Sequence, residues 1–174
     1  RVTEIGFDED DLDVEDLIEE EQCVYTLTSG GYIKRTSASE YRLQGKGGKG
    51  NRSMSTKEED YVNPVFTATT HDYVLVFTNM GRAYRRKGYQ IPQSGKTAKG
   101  TNILNILPVE PGESISAMIS TRDITTGERF LVMVTRGGTV KRLPVESLRN
   151  VRNNGLRVLK LDEGDELISV RETD

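Results

Sequence analysis

Three segments of the chain repeat one pattern around a glycine, and this repeat limits the chain to a small set of folds. The segments occupy residues 25–42, 75–92 and 132–149, so they are spaced 50 and 57 residues apart. A glycine at a turn supplies the positive φ that a two-residue hairpin loop needs, and apolar residues at a period of two bury one face of a strand. Each segment therefore predicts a β-hairpin, with a threonine and a glycine three positions later as anchors: Thr28 and Gly31, Thr78 and Gly81, and Thr135 and Gly138.

A glycine–lysine motif follows the first two hairpins at the same spacing. QGKGGKG at residues 44–50 lies 50 residues before SGKTAKG at residues 94–100. The third copy is reduced to Arg152, Gly155 and Arg157. The repeating unit is therefore a hairpin followed by a basic, glycine-containing loop.

A further apolar stretch follows each basic loop. The stretches at residues 107–119 and 159–170 align across a second glycine turn, and each is predicted to form a pair of strands. A unit of about 50 residues made only of strands is typical of propeller blades, which cannot bury their sheets without neighbours. We therefore predict an all-β fold, a propeller-like array of about three to four four-stranded blades that forms a partial disc. Residues 1–20 are predicted to be an acidic linker and entry segment, and residues 21–174 the array itself.

Charge is distributed unevenly along the chain. The net charge is −3, but residues 1–21 hold 11 of the 27 acidic residues and one of the 24 basic residues. The remaining 153 residues carry 16 acidic and 23 basic residues. A basic body behind an acidic leader is expected of a protein that binds a polyanion, although it is also compatible with solubility alone.

Other chemistries are poorly represented. The end of a phosphate-binding P-loop is present at residues 95–97, but its leading glycine is replaced by Gln90 and the following residues predict strand rather than helix. With His71 the only histidine and Cys23 the only cysteine, neither a zinc site nor an internal disulfide is expected, and Cys23 is predicted to be a buried thiol. No apolar run approaches the ~20 residues of a membrane span. We expect no catalytic residue, metal or cofactor in this chain, and a cytoplasmic, nucleoid-associated location.

Basic residues recur at equivalent positions of the repeats. In a circular array such positions fall on one rim, which predicts a continuous positive track for phosphates, and the glycines let main-chain N–H groups approach closely. Aromatic residues do not accompany the lysines, so we expect sequence-tolerant binding of duplex rather than single-stranded DNA. The alternative is that these bases only keep strand edges soluble. The candidate DNA-binding residues are Gln44, Gly45, Lys46, Gly47, Gly48, Lys49, Gly50, Arg35, Arg42, Arg52, Arg85, Arg86, Lys87, Lys96, Lys99, Lys141, Arg142, Arg152 and Arg157.

From about Asp16 to its end, the sequence resembles the C-terminal domain of the bacterial DNA gyrase A subunit. The resemblance rests on separated motifs in a fixed order: TLTSGGYIKRTSASEYRLQGKGGKG, EEDYVNPVFTATTHDYVLVFTNMGRAY, YQIPQSGKTAKGTNILNILPVEPGESISAMI and LKLDEGDELISV. It implies a β-pinwheel, a disc of blades whose basic perimeter wraps duplex DNA and so supports ATP-dependent negative supercoiling by the complete type II topoisomerase. The implied partners are duplex DNA, the B subunit of gyrase and a second A subunit, with no membrane. The DNA-cleaving tyrosine and the ATPase subunit lie outside this chain, so the chain alone is expected to catalyse nothing.

The resemblance also implies a role for residues 44–50. They match the seven-residue box of the family, usually Gln-Arg/Lys-Arg-Gly-Gly-Lys/Arg-Gly, except that Gly45 replaces a base and Lys46 an arginine. Lysine keeps the charge but loses the planar guanidinium fork. The related domain of the topoisomerase IV A subunit has a degenerate or missing box, and that enzyme relaxes and decatenates DNA without wrapping it. The nearly complete box favours gyrase, with the topoisomerase IV domain and a protein-interaction propeller as the alternatives.

Overall fold

The chain is built from short antiparallel strands. The computed structural model describes residues 14–41, 65–95, 97–122 and 129–173. Residues 14–17 and 38–41 are helical, and short 3-10 helices lie at Gly88–Gln90, Ile103–Asn105 and Val145–Leu148. The strands are β1 Gln22–Leu27, β2 Tyr32–Ser37, β3 Val65–Thr69, β4 Tyr73–Thr78, β5 Arg82–Lys87, β6 Thr101–Asn102, β7 Ile115–Thr121, β8 Phe130–Thr135, β9 Val140–Pro144, β10 Leu156–Arg157 and β11 Leu167–Thr173. No helix of these residues is long and apolar enough to cross a membrane.

The strands form three antiparallel sheets, one for each predicted hairpin. Their strand orders are β3-β1-β2-β6, β10-β5-β4-β7 and β11-β8-β9. The outer strand of the first two sheets comes from the following repeat, because β6 pairs with β2 and β10 pairs with β5. Consecutive repeats are therefore joined by main-chain hydrogen bonds as well as by packing.

The third sheet differs from the predicted four-stranded blade. It has three strands within the described residues, and none of these residues forms a strand on the outer side of β9. Val140 on β9 is 64% exposed, whereas Ile33 and Ala83, at the equivalent positions of β2 and β5, are 0% exposed. Ile33 and Ala83 lie in the core clusters that each sheet shares with the next one, and the described residues form no further sheet to bury Val140.

The hairpin turns show why the threonine and glycine recur. Gly31, Gly81 and Gly138 have φ of +89°, +83° and +97°, in the left-handed region that favours glycine. Each donates its N–H to the carbonyl oxygen of the threonine three residues earlier, at 2.9–3.0 Å. The threonine Oγ1 accepts an N–H from the residue after the glycine, at 3.0–3.3 Å. The positive φ is confirmed, but the predicted two-residue loop is wrong, because three residues separate the paired ends, Thr28 and Tyr32 in the first hairpin.

The middle sheet is buried on both faces. Val74 and Val76 of β4 belong to a core cluster shared with the first sheet, and Leu75 and Phe77 belong to a second cluster shared with the third sheet. The period of two is present, but both sets of side chains are apolar because a neighbouring sheet covers each face. This sheet-on-sheet packing is the arrangement expected of propeller blades.

One strand prediction is wrong. The stretches at residues 107–119 and 159–170 each contribute one long strand, β7 and β11, rather than a pair. The first half of each stretch lies outside the sheets. There Leu107 and Leu159 are buried in the two core clusters. The main chain there bonds between repeats instead, with the Val158 N–H donating to the Gly81 carbonyl oxygen at 2.9 Å.

Candidate nucleic-acid interface

The predicted DNA-binding residues fall into four groups by their structural setting. The first lies outside the described residues, and it comprises Arg42, Gln44, Gly45, Lys46, Gly47, Gly48, Lys49, Gly50, Arg52 and Lys96. The other nine lie on hairpin strands or on the loops between repeats. Of these nine, three contact the following repeat, Lys87 contacts the acidic leader, and five are exposed.

Arg35 and Arg85 occupy equivalent positions, four residues after the turn glycine, and both contact the following repeat. The Nε of Arg35 donates to the Ile91 carbonyl oxygen at 2.9 Å. The Nη1 of Arg85 donates to the carbonyl oxygens of Leu148, at 3.3 Å, and Arg149. Ile91 and Leu148 lie at the ends of the 3-10 helices that follow β5 and β9, so each arginine holds the equivalent helix of the next repeat.

Arg86 and Arg82 hold the loop that precedes β10. The Nη2 of Arg86 donates to the Asn153 carbonyl oxygen at 3.3 Å, and the Nη2 of Arg82 donates to the Asn154 carbonyl oxygen at 2.9 Å. Burial lowers the pKa of the Arg86 guanidinium from its ordinary value, although arginine stays charged in proteins. Arg82 is additionally paired with Glu110 at 3.2 Å. We call the side chains that contact main-chain carbonyls of the following repeat junction cations: Lys34, Arg35, Arg82, Arg85 and Arg86.

Lys87 forms an ion pair with a residue of the acidic leader. Its Nζ lies 3.2 Å from Oε2 of Glu15, in the helical residues 14–17, and donates to the His71 carbonyl oxygen at 3.1 Å. It also lies 4.2 Å from the centre of the Tyr73 ring. Lys87 therefore joins the leader to the second repeat.

The remaining five residues are exposed to solvent, and we call them the outer cations. Lys141 donates to the Val158 carbonyl oxygen at 2.9 Å, and it is exposed like the other four. Among the described residues, no observed ion pair includes any of the five. Cations without a carboxylate partner keep their charge available for an external anion. The outer cations are Lys99, Lys141, Arg142, Arg152 and Arg157.

Aromatic rings lie beside several of these cations, which the sequence analysis missed. Lys99 is 4.2 Å from the ring centre of Tyr32, and Arg142 is 3.7 Å from that of Phe130. Tyr73 supports both Arg85, at 5.2 Å, and Lys87. Such contacts orient a cation without neutralising it. A signal was present, since Tyr73 and Phe130 each lie eight residues before a turn glycine.

The single histidine and cysteine have contacts of their own. The Nε2 of His71 lies 2.8 Å from the Ile18 carbonyl oxygen, and the Asp72 carboxylate accepts the Thr69 N–H at 3.0 Å. Cys23 is 0% exposed, as predicted, and burial is the main cause that raises the pKa of its thiol. Within the described residues, no group of three or more His, Cys, Asp or Glu side chains could hold a metal ion.

Comparisons with known proteins agree with the three-sheet architecture. The sequence model of the DNA gyrase C-terminal domain, described as a beta-propeller, matches residues 24–69, 72–122 and 129–174, which correspond to the three repeats. The DNA gyrase A subunit of Clostridium acetobutylicum is 48% identical over 173 residues, and that of Staphylococcus aureus 45% over 176 residues. Each alignment covers 99% of this chain, but the chain spans only 20–21% of the length of these relatives.

Solved structures show the same fold. A crystal structure of the C-terminal domain of DNA topoisomerase IV superposes with a TM-score of 0.74 and 25% sequence identity, covering 91% of this chain and 47% of that one. A structure of the DNA gyrase A C-terminal domain superposes with a TM-score of 0.57 and 20% identity, covering 88% of this chain and 48% of that one.

Proposed function

The chain belongs to the DNA gyrase C-terminal domain family, and we propose that it binds and bends duplex DNA through phosphate contacts along the outer surface of its blades. The observation that carries the proposal is the set of outer cations. One of them, Lys99, lies in the second repeat and the other four lie in the third; all five are exposed, and none is ion-paired within the described part of the chain. Phosphate contacts of this kind bind DNA without reading its sequence.

Binding along an arc of cations favours bending of the duplex. Bending 20–30 base pairs by 40–90° costs roughly 1–6 kcal/mol, which contacts spread along the arc must offset. The aromatic supports of Lys99 and Arg142 hold their charged ends in place before DNA arrives, so less side-chain entropy is lost on binding. The glycine–lysine box at residues 44–50 is proposed to add phosphate contacts on the first blade.

We propose a wider role that the similarity to the DNA gyrase A subunits supports. In the complete protein this domain would support ATP-dependent negative supercoiling by a type II topoisomerase, with the B subunit of gyrase and a second A subunit as partners. The cleavage and ATPase chemistry would belong to other parts of that assembly. A cytoplasmic, nucleoid-associated location is proposed on the same basis.

A salt titration of DNA binding tests the proposal. The affinity of the chain for a duplex of about 40 base pairs would be measured by fluorescence anisotropy between 50 and 200 mM salt. With roughly 6–10 phosphates contacted, the affinity should fall about 10³–10⁵-fold, with a linear dependence of log K on log salt. Arg152→Ala should weaken binding, whereas Arg136→Ala, a charge-matched control at a residue paired with Glu166 at 3.0 Å, should change it less. A salt-independent affinity, or no binding at 50 mM, would contradict the proposal.

The topoisomerase IV domain is the second candidate, because its solved C-terminal domain superposes closely and because Gly45 departs from the gyrase box. A supercoiling assay with residues 44–50 replaced by alanine in the complete protein separates the two. If the protein is a gyrase, this variant should lose supercoiling activity and retain relaxation activity. An unchanged topological outcome would favour the topoisomerase IV assignment.

A further inference from the structure

Lys34 is a lysine whose ammonium is removed from solvent. It lies on β2 of the first repeat and is 6% exposed, yet its Nζ donates to the carbonyl oxygens of Gly95, at 3.0 Å, and Ala98, at 2.8 Å. An ammonium in such a place is stabilised only when polar partners replace water, and hydrogen bonds from a charged donor are the stronger kind. Both partners belong to the glycine–lysine motif of the second repeat. The burial of Lys34 also excludes a direct contact of its ammonium with DNA.

The motif is fastened to β2 along its length. The Ser94 carbonyl oxygen accepts the hydroxyl of Thr36 at 3.1 Å, and the Ser94 N–H donates to the Arg35 carbonyl oxygen at 2.9 Å. At the other end, Gly100 has φ +99°, and a Cβ there would lie 2.7 Å from the Ile33 carbonyl oxygen, so only glycine allows this approach. Between these ends Gly95, Thr97, Ala98 and Lys99 are exposed. We call the described residues 94, 95 and 97–100 the anchored segment.

The direction of these bonds decides what the anchored segment presents to solvent. The carbonyl groups of Gly95 and Ala98 point towards the Lys34 ammonium. In a trans peptide the C=O and the next N–H point in opposite directions, and the structure has no cis peptide bond among the residues it describes. The N–H of Lys99 therefore points away from the Lys34 ammonium, while the exposed Lys99 side chain places its own ammonium 4.2 Å from the ring centre of Tyr32. Negative ends of the peptide dipoles are turned inward and positive groups outward, which suits an anion.

The next junction achieves the same result with other side chains. There Arg82 and Arg86 take the carbonyl oxygens of Asn154 and Asn153, and Gly155 packs on the Tyr84 ring, where a Cβ would lie 2.9 Å from Cε2. Tyr84 occupies the position equivalent to Lys34. At both junctions, therefore, cations of one repeat donate hydrogen bonds to loop carbonyl oxygens of the next, and this does not require a lysine.

We propose that Lys34 is a positioning residue for DNA phosphate: it acts from the first repeat by holding the anchored segment of the second repeat with its positive groups outward. This inference rests on the proposed function, since the ligand is the same DNA backbone. The phosphate is contacted by the Lys99 ammonium and main chain, and Lys34 contributes through them.

Two variants of the 174-residue chain test the proposal. Lys34→Met removes the ammonium while keeping a side chain of similar length. Thr36→Val removes the hydroxyl that holds Ser94 and leaves the net charge unchanged. Both should weaken duplex binding, Lys34→Met by about five- to tenfold at 100 mM salt and with a salt slope smaller by about one, as for one lost phosphate contact. Because Thr36→Val alters no charge, its effect cannot come from the overall field of the protein.

Coupling to Lys99 is the decisive readout. In a Lys99→Ala background, Lys34→Met should weaken binding less than about twofold further, because the ammonium contact that Lys34 supports is already gone and only the main-chain contact remains. Full additivity of the two substitutions, or a Thr36→Val variant with unchanged affinity, would overturn the proposal. Thermal unfolding would be followed for every variant, and binding compared well below the lowest midpoint.

Amide hydrogen exchange separates failure of this inference from failure of the proposed function. Exchange at Ser94 and Ala98, whose N–H groups donate to the carbonyl oxygens of Arg35 at 2.9 Å and Gly95 at 3.1 Å, should be faster in Lys34→Met and Thr36→Val than in the parent chain, with or without DNA. If the parent chain binds no DNA but the two variants exchange faster than it does, the proposed function is contradicted and the anchoring is retained. Parent chain that binds DNA, with unchanged exchange in both variants, would overturn the anchoring itself.

Discussion

The junction between the first and second repeats and the junction between the second and third are built to one plan with different side chains. In both, a two-residue strand of the following repeat pairs with the edge of the hairpin, β6 with β2 and β10 with β5. In both, cations on the hairpin take main-chain carbonyls of the following repeat. The first junction uses a buried lysine and a threonine, Lys34 and Thr36, whereas the second uses two arginines, Arg82 and Arg86.

The two junctions also differ in how tightly the main chain is packed. A Cβ on Gly31 would meet only the Ile103 side chain, at 3.7 Å, which is an ordinary contact. A Cβ on Gly81 would lie 2.4 Å from the Leu159 carbonyl oxygen. Glycines at matching sequence positions therefore need not carry the same constraint.

The largest expected effect comes from alanine at the turn glycines. Gly81→Ala should lower the free energy of unfolding by roughly 3–5 kcal/mol, since left-handed strain adds to a main-chain clash at the second junction. Gly31→Ala should cost about 1–2 kcal/mol, from the positive φ alone. Gly138→Ala, with nothing within 4 Å of the added Cβ, is the matched reference and should resemble Gly31→Ala. Urea unfolding of the three variants checks this order, and equal losses at residues 31 and 81 would contradict the difference between the junctions.

A smaller effect is expected from two equivalent arginines. Arg85→Ala should destabilise the chain by about 1–2 kcal/mol, because Arg85 bonds to Leu148 and Arg149 of the following repeat. Arg142→Ala should cost about 0.5 kcal/mol, since Arg142 is exposed and contacts the Phe130 ring. Thermal unfolding of the two variants measures the difference. A larger loss for Arg142→Ala would show that the junction bonds of Arg85 contribute little.

The smallest expected effect is a pH dependence of stability, which we expect for a contact in the third repeat and not for its counterpart in the second. The Asp165 carboxylate accepts the Gly137 N–H at 2.8 Å, and this bond lowers the pKa of Asp165 below its ordinary value of 3.8. A lowered folded-state pKa contributes stability that is present above the unfolded value and is lost as pH falls through the folded value. Asp165→Asn should therefore reduce the unfolding midpoint at pH 7 and have progressively less effect below about pH 4.

Asn79 supplies the control for that pH dependence. At the corresponding contact in the second repeat the roles are reversed: Asn79 lies on the hairpin turn, and its neutral Oδ1 accepts the Ser114 N–H at 2.9 Å. Asn79→Ala should lower the midpoint by a similar amount at pH 7 and at pH 3, because an amide does not titrate in this range. If Asp165→Asn shows the same pH-independent loss, the Gly137 bond does not depend on the carboxylate charge.

Local features were predictable from the sequence, and contacts between repeats were not. The three hairpins and their positive-φ glycines follow from residues close together in the chain. β6 and β10 each pair with a strand of the preceding repeat over only two residues, which is too short for a period of two to be visible in the sequence. Leu107 and Leu159 lie in apolar stretches that resemble strands in the sequence, but they are buried between sheets. The predicted strand pairs were therefore wrong.

The same limit applies to the candidate site. The recurrence of bases is visible in the sequence, but the partners of the junction cations lie 56 to 72 residues away in the chain, as for Arg35 with Ile91 and Arg82 with Asn154. Composition therefore could not separate the junction cations from the outer cations. The box at residues 44–50 remains a prediction, since it lies outside the described residues.

The central claim is that recurring cations are divided between holding repeats together and binding DNA, and the salt dependence of DNA binding by Arg85→Ala and Arg142→Ala tests it most directly. Both variants lose one positive charge, so the overall field changes equally. Arg142→Ala should reduce the slope of log K against log salt by about one, and Arg85→Ala should leave the slope near that of the parent chain. Equal reductions in the two variants, measured below both unfolding midpoints, would contradict the division.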